Sequence, residues 1–162
     1  MTIAVYPGSF DPMTTGHLDI VTRAVDFFDK LIIAIYDKPA KPMFFTIEER
    51  VALAKEAVAG MPKVCVKPYS GLTVEFIHSV GGKVMIRGLR VGSDFETEFE
   101  MEKMNKKLAP DIEMLCLMAS SDYQCISSKL IKEVATLQGC LTGLVPDHVA
   151  VALKKKLSEG IH

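Results

Sequence analysis

The feature that most constrains this chain is a repeated change of hydrophobic period. Five short, apolar, β-rich runs, "TIAVY" (2–6), "KLIIAIY" (30–36), "KVCVKPY" (63–69), "KVMIRG" (83–88) and "DIEMLCLM" (111–118), are separated by stretches with helical spacing. After the first run, Leu18, Val21, Val25 and Phe28 recur at helical intervals. Thr46-Ile47-Glu48-Glu49 offers a capping box, with Thr46 as N-cap and Glu49 three residues on. Ile47, Val51, Ala54 and Val58 make the inward stripe of the helix it opens. A short helix is expected over 72–80, and Asp94 can cap one carrying Phe95, Phe99, Met104 and Leu108. Two more are expected, from about 128 to 137 and from Pro146 into "ALKKKL", whose lysines suit the negative end of the helix dipole. This alternation predicts an α/β protein: an open, parallel, five-stranded sheet with helices on both faces.

The length, 162 residues, suits one domain over 1–162 with its own core. Hydrophobic residues make up 49% and charged residues 24%, with no compositional sign of disorder. The formal net charge is −1, so no global field draws nucleic acid or an anionic membrane, and any anion site must be built locally. No apolar run is long enough to span a bilayer and the first residues lack a signal-peptide layout, so a cytoplasmic protein is expected. Cys65, Cys116, Cys125 and Cys140 show no C-x-x-C spacing. Three of them lie in or beside apolar runs and read as buried free thiols in a reducing compartment.

In an open parallel sheet the loops leaving the carboxyl ends of the strands share one edge, and ligands bind there. The loops after strands one, two, four and five are "PGSFDPMTTGH", "DKPAKPMF", "RGLRVGSD" and "ASSDYQCISSK", and the unusual polar clusters fall in them. Gly16 lets backbone N–H groups at a helix N-terminus approach a phosphate, and His17 can donate to the same group. A plain cap with an exposed histidine is the simpler alternative. Arg87 and Arg90 can grip phosphates in a bidentate way, or pair with Glu96, Glu98, Glu100 and Glu102, which read mostly as a solvated helix face. Ser127 and Ser128 serve as N-caps or as a second phosphate cradle, which Lys129 and Lys132 either assist or leave for solvent. Lys41, with Lys38 as competitor, is a loop charge or a mobile cation over a transferring phosphoryl group. His78, His148 and His162 form no metal set, and neither a Walker A motif nor a G-x-S-x-G elbow occurs.

With "TTGH" after the first strand and "ISSK" before a late helix, the chain resembles the nucleotidyltransferase superfamily. More closely, "YPGSFDPMTTGHLDIVTRA", "FTIEERVALA", "MIRGLRVGSDFETEFEMEKMNKKL" and "ISSKLIKEVA" resemble the bacterial phosphopantetheine adenylyltransferases, in order and over essentially the whole chain. The resemblance implies a Rossmann-like nucleotidyltransferase domain that joins ATP and 4′-phosphopantetheine into dephospho-coenzyme A and pyrophosphate, the penultimate step of coenzyme A synthesis. It further implies magnesium, a homohexamer and coenzyme A as a feedback ligand.

By position, the resemblance makes His17, Lys41 and Arg90 the catalytic set. Ser9 stands beside both substrates, and Lys41, Thr73 and Arg87 hold the pantetheine arm. Phe10, His17, Gly88, Leu89, Arg90 and Glu98 belong to the ATP site, as do Tyr123, Gln124, Cys125, Ile126, Ser127, Ser128 and Lys129. Relatives commonly have a third serine where this chain has Lys129, and a tyrosine where it has Thr97. The implied chemistry needs no general base, because the acceptor phosphate is already nucleophilic at neutral pH. Magnesium would be held largely by phosphate oxygens, in keeping with a sequence that shows no carboxylate cage. Two alternatives remain: a nucleotidyltransferase with another acceptor, and an ATP-binding sensor without turnover. Pyrophosphate release that depends on added 4′-phosphopantetheine separates them.

Overall fold

The computed structural model describes residues 1–40 and 42–160, with the backbone alone for Ser93. Its strands are β1 (Ile3–Gly8), β2 (Lys30–Tyr36), β3 (Val64–Tyr69), β4 (Val84–Leu89) and β5 (Glu113–Met118), all parallel, in the order β3-β2-β1-β4-β5. The helices between and after them are α1 (Thr15–Ala24), α2 (Ile47–Ala57), α3 (Thr73–Ser79), α4 (Gly92–Leu108), α5 (Ser128–Thr136) and α6 (Asp147–Ser158). The five expected strands are present, with ends displaced by a residue or two from the apolar runs.

Strand alternation divides the core. Tyr6, Leu31, Ile33 and Ile86 face Ile20 and Val21 of α1 and Ala54 of α2. Val5, Ile32, Ala34 and Met85 face the other way, onto Val74 and Ile77 of α3 and onto Ala109 and Ile112. Burying each large aliphatic side chain contributes about 1.5–3 kcal/mol, so two apolar faces hold the sheet between its helices. A third cluster joins Ile131 of α5, Val149 and Leu153 of α6 and Phe45. The capping box of α2 forms in both directions: Glu49 N–H donates to Thr46 Oγ1 at 3.3 Å and Thr46 N–H to Glu49 Oε2 at 2.7 Å.

Strand order reverses at β1, and the sheet opens there. β1 pairs with β2 from Ile3 to Gly8, but with β4 only through Ala4 and Val5. Pro7 has no N–H for a ladder, and its carbonyl accepts instead from Arg87 Nη1 at 2.7 Å. The crevice beyond Val5 is the place where open α/β sheets take ligands.

Two expectations need correction, Asp94 as a helix cap and the cysteines as buried thiols. α4 begins at Gly92, two residues before Asp94, so Asp94 is not its cap; its carboxylate accepts from Arg90 instead. Phe95, Phe99, Met104 and Leu108 lie exposed on α4, as do Leu115 and Met118 of β5. The thiols are not buried: Cys116, Cys125 and Cys140 are exposed, Cys65 is half-buried, and all are free. β5 is the edge of the sheet, so an apolar run there did not mean burial. No helix among the described residues is long and apolar enough to cross a membrane.

Candidate active site

A cavity of about 360 Å³ lies over the crevice between β1 and β4. The loop after β1 forms one wall and reaches α1 at Thr14, whose hydroxyl caps the helix by accepting from His17 N–H. His17 occupies the third helical position, where a capping box ordinarily carries a glutamate or glutamine. Its ring closes the box: Thr14 N–H donates to His17 Nδ1 at 3.0 Å. Nδ1 therefore presents its lone pair and the ring proton sits on Nε2. Burial, and then the charges of Arg90 and Arg87, push the His17 pKa down to about 4. The histidine is thus a neutral Nε2–H donor at physiological pH. Phe10 packs edge-on to it with ring centroids 5.0 Å apart.

β4 supplies the arginines. Arg87 donates to Glu98 through Nε at 2.7 Å and Nη2 at 2.5 Å. Burial opposes the Arg87 charge, but the bonds and charge of Glu98 outweigh it and raise its pKa. Arg90 donates through Nε and Nη2 to Asp94, at 3.0 and 3.1 Å, and through Nη1 to the Ile126 carbonyl. Burial likewise opposes ionisation of Asp94, yet the Arg90 bonds and charge lower its pKa. Each guanidinium carries five N–H groups and commits three to partners among the described residues. Glu98 is buried and does not belong to a solvated face.

α5 closes the far side. Ser127 caps it, its oxygen accepting from Leu130 N–H at 3.1 Å, and Ser128 Oγ donates to the Pro12 carbonyl at 2.7 Å. The serines are therefore caps and braces as well as wall. The N–H groups of Ser128 and Lys129, at the start of the helix, have no intrahelical acceptor.

The cavity wall brings together Ser9, Phe10, Gly16 and His17 from one end of the chain. It adds Arg87, Gly88, Arg90 and Glu98 from the middle, and Tyr123, Ile126, Ser127, Ser128 and Lys129 from α5 and the turn before it. Leu89, Gln124 and Cys125 do not line it. Thr73 lines an adjoining cavity of about 300 Å³ with Tyr36, Tyr69 and Asn105. The two cavities share Pro7, Gly8, Ser9, Arg87 and Glu98. Lys38 is exposed and lines neither, and Lys41 lies outside the described residues.

Sequence reasoning passed over two buried charges behind this wall. Arg50 is 2% exposed and donates to the carbonyls of Phe45, Ser9 and Tyr36, at 3.2, 2.8 and 2.8 Å. Those oxygens are turned into the protein, away from any anion in the crevice. The signal was its place on the inward stripe of α2, between Ile47 and Ala54. Asp11, 1% exposed, accepts from Phe44 N–H, Phe45 N–H and Lys132 Nζ.

Comparison with known proteins identifies the family. Residues 5–134 match the cytidylyltransferase-like family model. A phosphopantetheine adenylyltransferase from Dehalococcoides mccartyi is 51% identical, over 96% of this chain and 98% of its own length. Another, from Thermomicrobium roseum, is 53% identical over 94% and 93% of the two chains. A crystal structure from Vibrio parahaemolyticus, assigned as a nicotinate-nucleotide adenylyltransferase, superposes with a TM-score of 0.74 over 99% of this chain. At 15% identity that likeness speaks for the fold alone. At about half identity over nearly the full length of its relatives, the chain belongs to the phosphopantetheine adenylyltransferases.

Proposed function

We infer that this protein transfers the adenylyl group of ATP to 4′-phosphopantetheine, giving dephospho-coenzyme A and pyrophosphate. One observation carries the site assignment: two adjoining cavities share a wall of Pro7, Gly8, Ser9, Arg87 and Glu98. A reaction that joins two substrates needs such a wall. In this reading ATP takes the cavity between the N-termini of α1 and α5, with Ser9, Phe10, Gly88, Arg90, Tyr123, Ile126, Ser127, Ser128 and Lys129 around it. The pantetheine arm takes the cavity of Thr73, with its phosphate at Arg87 and Ser9, and Lys41 assists from the second loop.

An oxygen of the acceptor phosphate attacks the α-phosphorus of ATP. As that P–O bond forms, the bond to the α–β bridging oxygen breaks, and its electron pair leaves with pyrophosphate. The attacking phosphate is mostly dianionic at neutral pH, so no protein base is needed. The protein's task is to align two anions and to stabilise charge growing on the equatorial and leaving oxygens. His17 serves as a fixed neutral donor, Arg90 as a cation, and the two helix N-termini as converging positive dipole ends. Gly16 fits this use: a Cβ there would meet Tyr123 Cβ at an ordinary 3.6 Å, so protein packing does not demand glycine.

Magnesium is proposed to arrive on the triphosphate. The described residues hold no cluster of three metal-ligating side chains, and Asp94 and Glu98 are committed to arginines. When bound, the ion would neutralise phosphate charge. A homohexamer, a cytoplasmic location and feedback by coenzyme A complete the proposal. The exposed apolar side chains of α4 and β5 support self-association. The test is pyrophosphate release from ATP with a panel of acceptors. Release only with 4′-phosphopantetheine is expected; release with another acceptor, or none, would overturn the reading.

A further inference from the structure

Two helix N-termini face one cavity, yet they come from opposite ends of the chain, and something must fix their separation. Ser128 and Lys132 lie one turn apart on the same face of α5. Both reach the loop after β1: Ser128 Oγ donates to the Pro12 carbonyl, and Lys132 Nζ to Asp11 Oδ2 at 2.8 Å. The Asp11 carboxylate in turn takes Phe45 N–H on Oδ1 at 2.8 Å and Phe44 N–H on Oδ2 at 2.9 Å. The Asp11 side chain is 2% exposed and that of Lys132 25%, and neither lines the cavity. Lys132 thus spends its charge behind the wall.

The residue beside Asp11 shows what the strut holds. Phe10 has φ +45°, a region that residues with a side chain seldom adopt, and its ring packs against His17. Strain of that kind persists only where the surroundings over-determine it. Asp11 meets this condition with three donors from two separate segments.

We propose that Lys132 is a positioning residue for adenylyl transfer: through Asp11 it locks the loop after β1 against α5, so that His17 and both helix N-termini meet one triphosphate. The inference rests on the adenylyl-transfer reading. It differs from the two roles open to Lys132 in the sequence, a phosphate ligand or a solvated lysine.

The test uses Lys132→Met, Lys132→Arg, Asp11→Asn and the Asp11→Asn/Lys132→Met double variant of the full chain. Turnover is measured at saturating substrates, ATP affinity by calorimetry at two salt concentrations, and all assays run well below each melting temperature. Lys132→Met and Asp11→Asn should each lower kcat about tenfold or more while ATP affinity changes less than about threefold. The double variant should be no worse than the poorer single one, because both changes cut the same strut. Lys132→Arg should recover turnover to within about threefold of the wild type.

Multiplying losses in the double variant would overturn the proposal. So would a tenfold loss of ATP affinity with a shallower salt dependence in Lys132→Met alone, the mark of a direct phosphate ligand. Unchanged kcat with only a lower melting temperature would reduce the pair to a brace of the fold and overturn it too. If Asp11→Asn does not fold, Lys132→Met and Lys132→Arg decide the matter, since the lysine is the less buried partner. A wild type that releases no pyrophosphate defeats the adenylyl-transfer reading and the inference with it; a wild type that turns over beside fully active variants defeats the inference alone.

Discussion

At His17, burial and two arginines act in the same direction, and the consequence can be measured in stability as well as rate. The folded protein refuses a proton that the unfolded chain accepts near pH 6.5, its own pKa lying near 4. The contribution is therefore intact above pH 6.5 and is lost as pH falls toward 4. Relative to His17→Asn, the wild type should lose about 2 kcal/mol between pH 7 and pH 4.5, read from thermal melts. At neutral pH the same variant keeps an acceptor for Thr14 N–H but lacks the Nε2–H donor. Its kcat should fall about a hundredfold or more with a much smaller change in ATP affinity. A normal kcat with a raised KM would remove His17 from the transition state. The arginines divide by cavity. Arg87 stands in the wall common to both and Arg90 lines the first, so Arg87→Ala should chiefly weaken 4′-phosphopantetheine and Arg90→Ala chiefly ATP. Each loss should be about 1.5–3 kcal/mol, and calorimetric titration of both variants with both ligands checks it.

At the scale of elements, α5 carries a lysine in its first turn, where the positive dipole end disfavours a cation unless an anion is near. Lys129 lines the cavity, and a bound triphosphate would supply that anion. Lys129→Ser should weaken ATP binding, make it less salt-dependent and slightly stabilise the protein without ligand. Superimposable titrations at low and high salt would leave Lys129 a surface residue. The elements themselves were largely legible. Apolar runs marked the strands, the Thr46–Glu49 box marked α2 to the residue, and Ser127 marked α5. Asp94 was misread because a carboxylate near a helix start is ordinarily a cap, and only tertiary geometry shows Arg90 claiming it. Arg50 and Asp11 were passed over for a related reason. Hydrophobic periodicity ranks charges as surface, whereas a buried guanidinium is stable wherever enough carbonyls converge on it. Cys116 was misplaced because composition cannot tell an edge strand from a central one.

For the whole molecule, the uncovered side is informative. Phe95, Phe99, Met101, Met104 and Leu108 are each about half exposed on α4, and Leu115 and Met118 on β5 add to this apolar surface. The proposed assembly would cover it. Met104→Lys with Leu115→Glu should therefore lower the mass measured by sedimentation, and an unchanged mass would place the interface elsewhere. α4 also carries Glu98 and Asp94, so a dissociated chain should lose turnover beyond what its melting temperature explains. The wall shared by the two cavities has a further consequence, for the order of events after chemistry. Two substrates enter as separate molecules, each free to leave alone. The product spans both cavities as one covalent chain, and when either end lets go the other keeps it close, at an effective concentration that favours rebinding. Dephospho-coenzyme A should thus leave more slowly than either substrate, so escape of the product, more than bond making, would set the pace of the cycle.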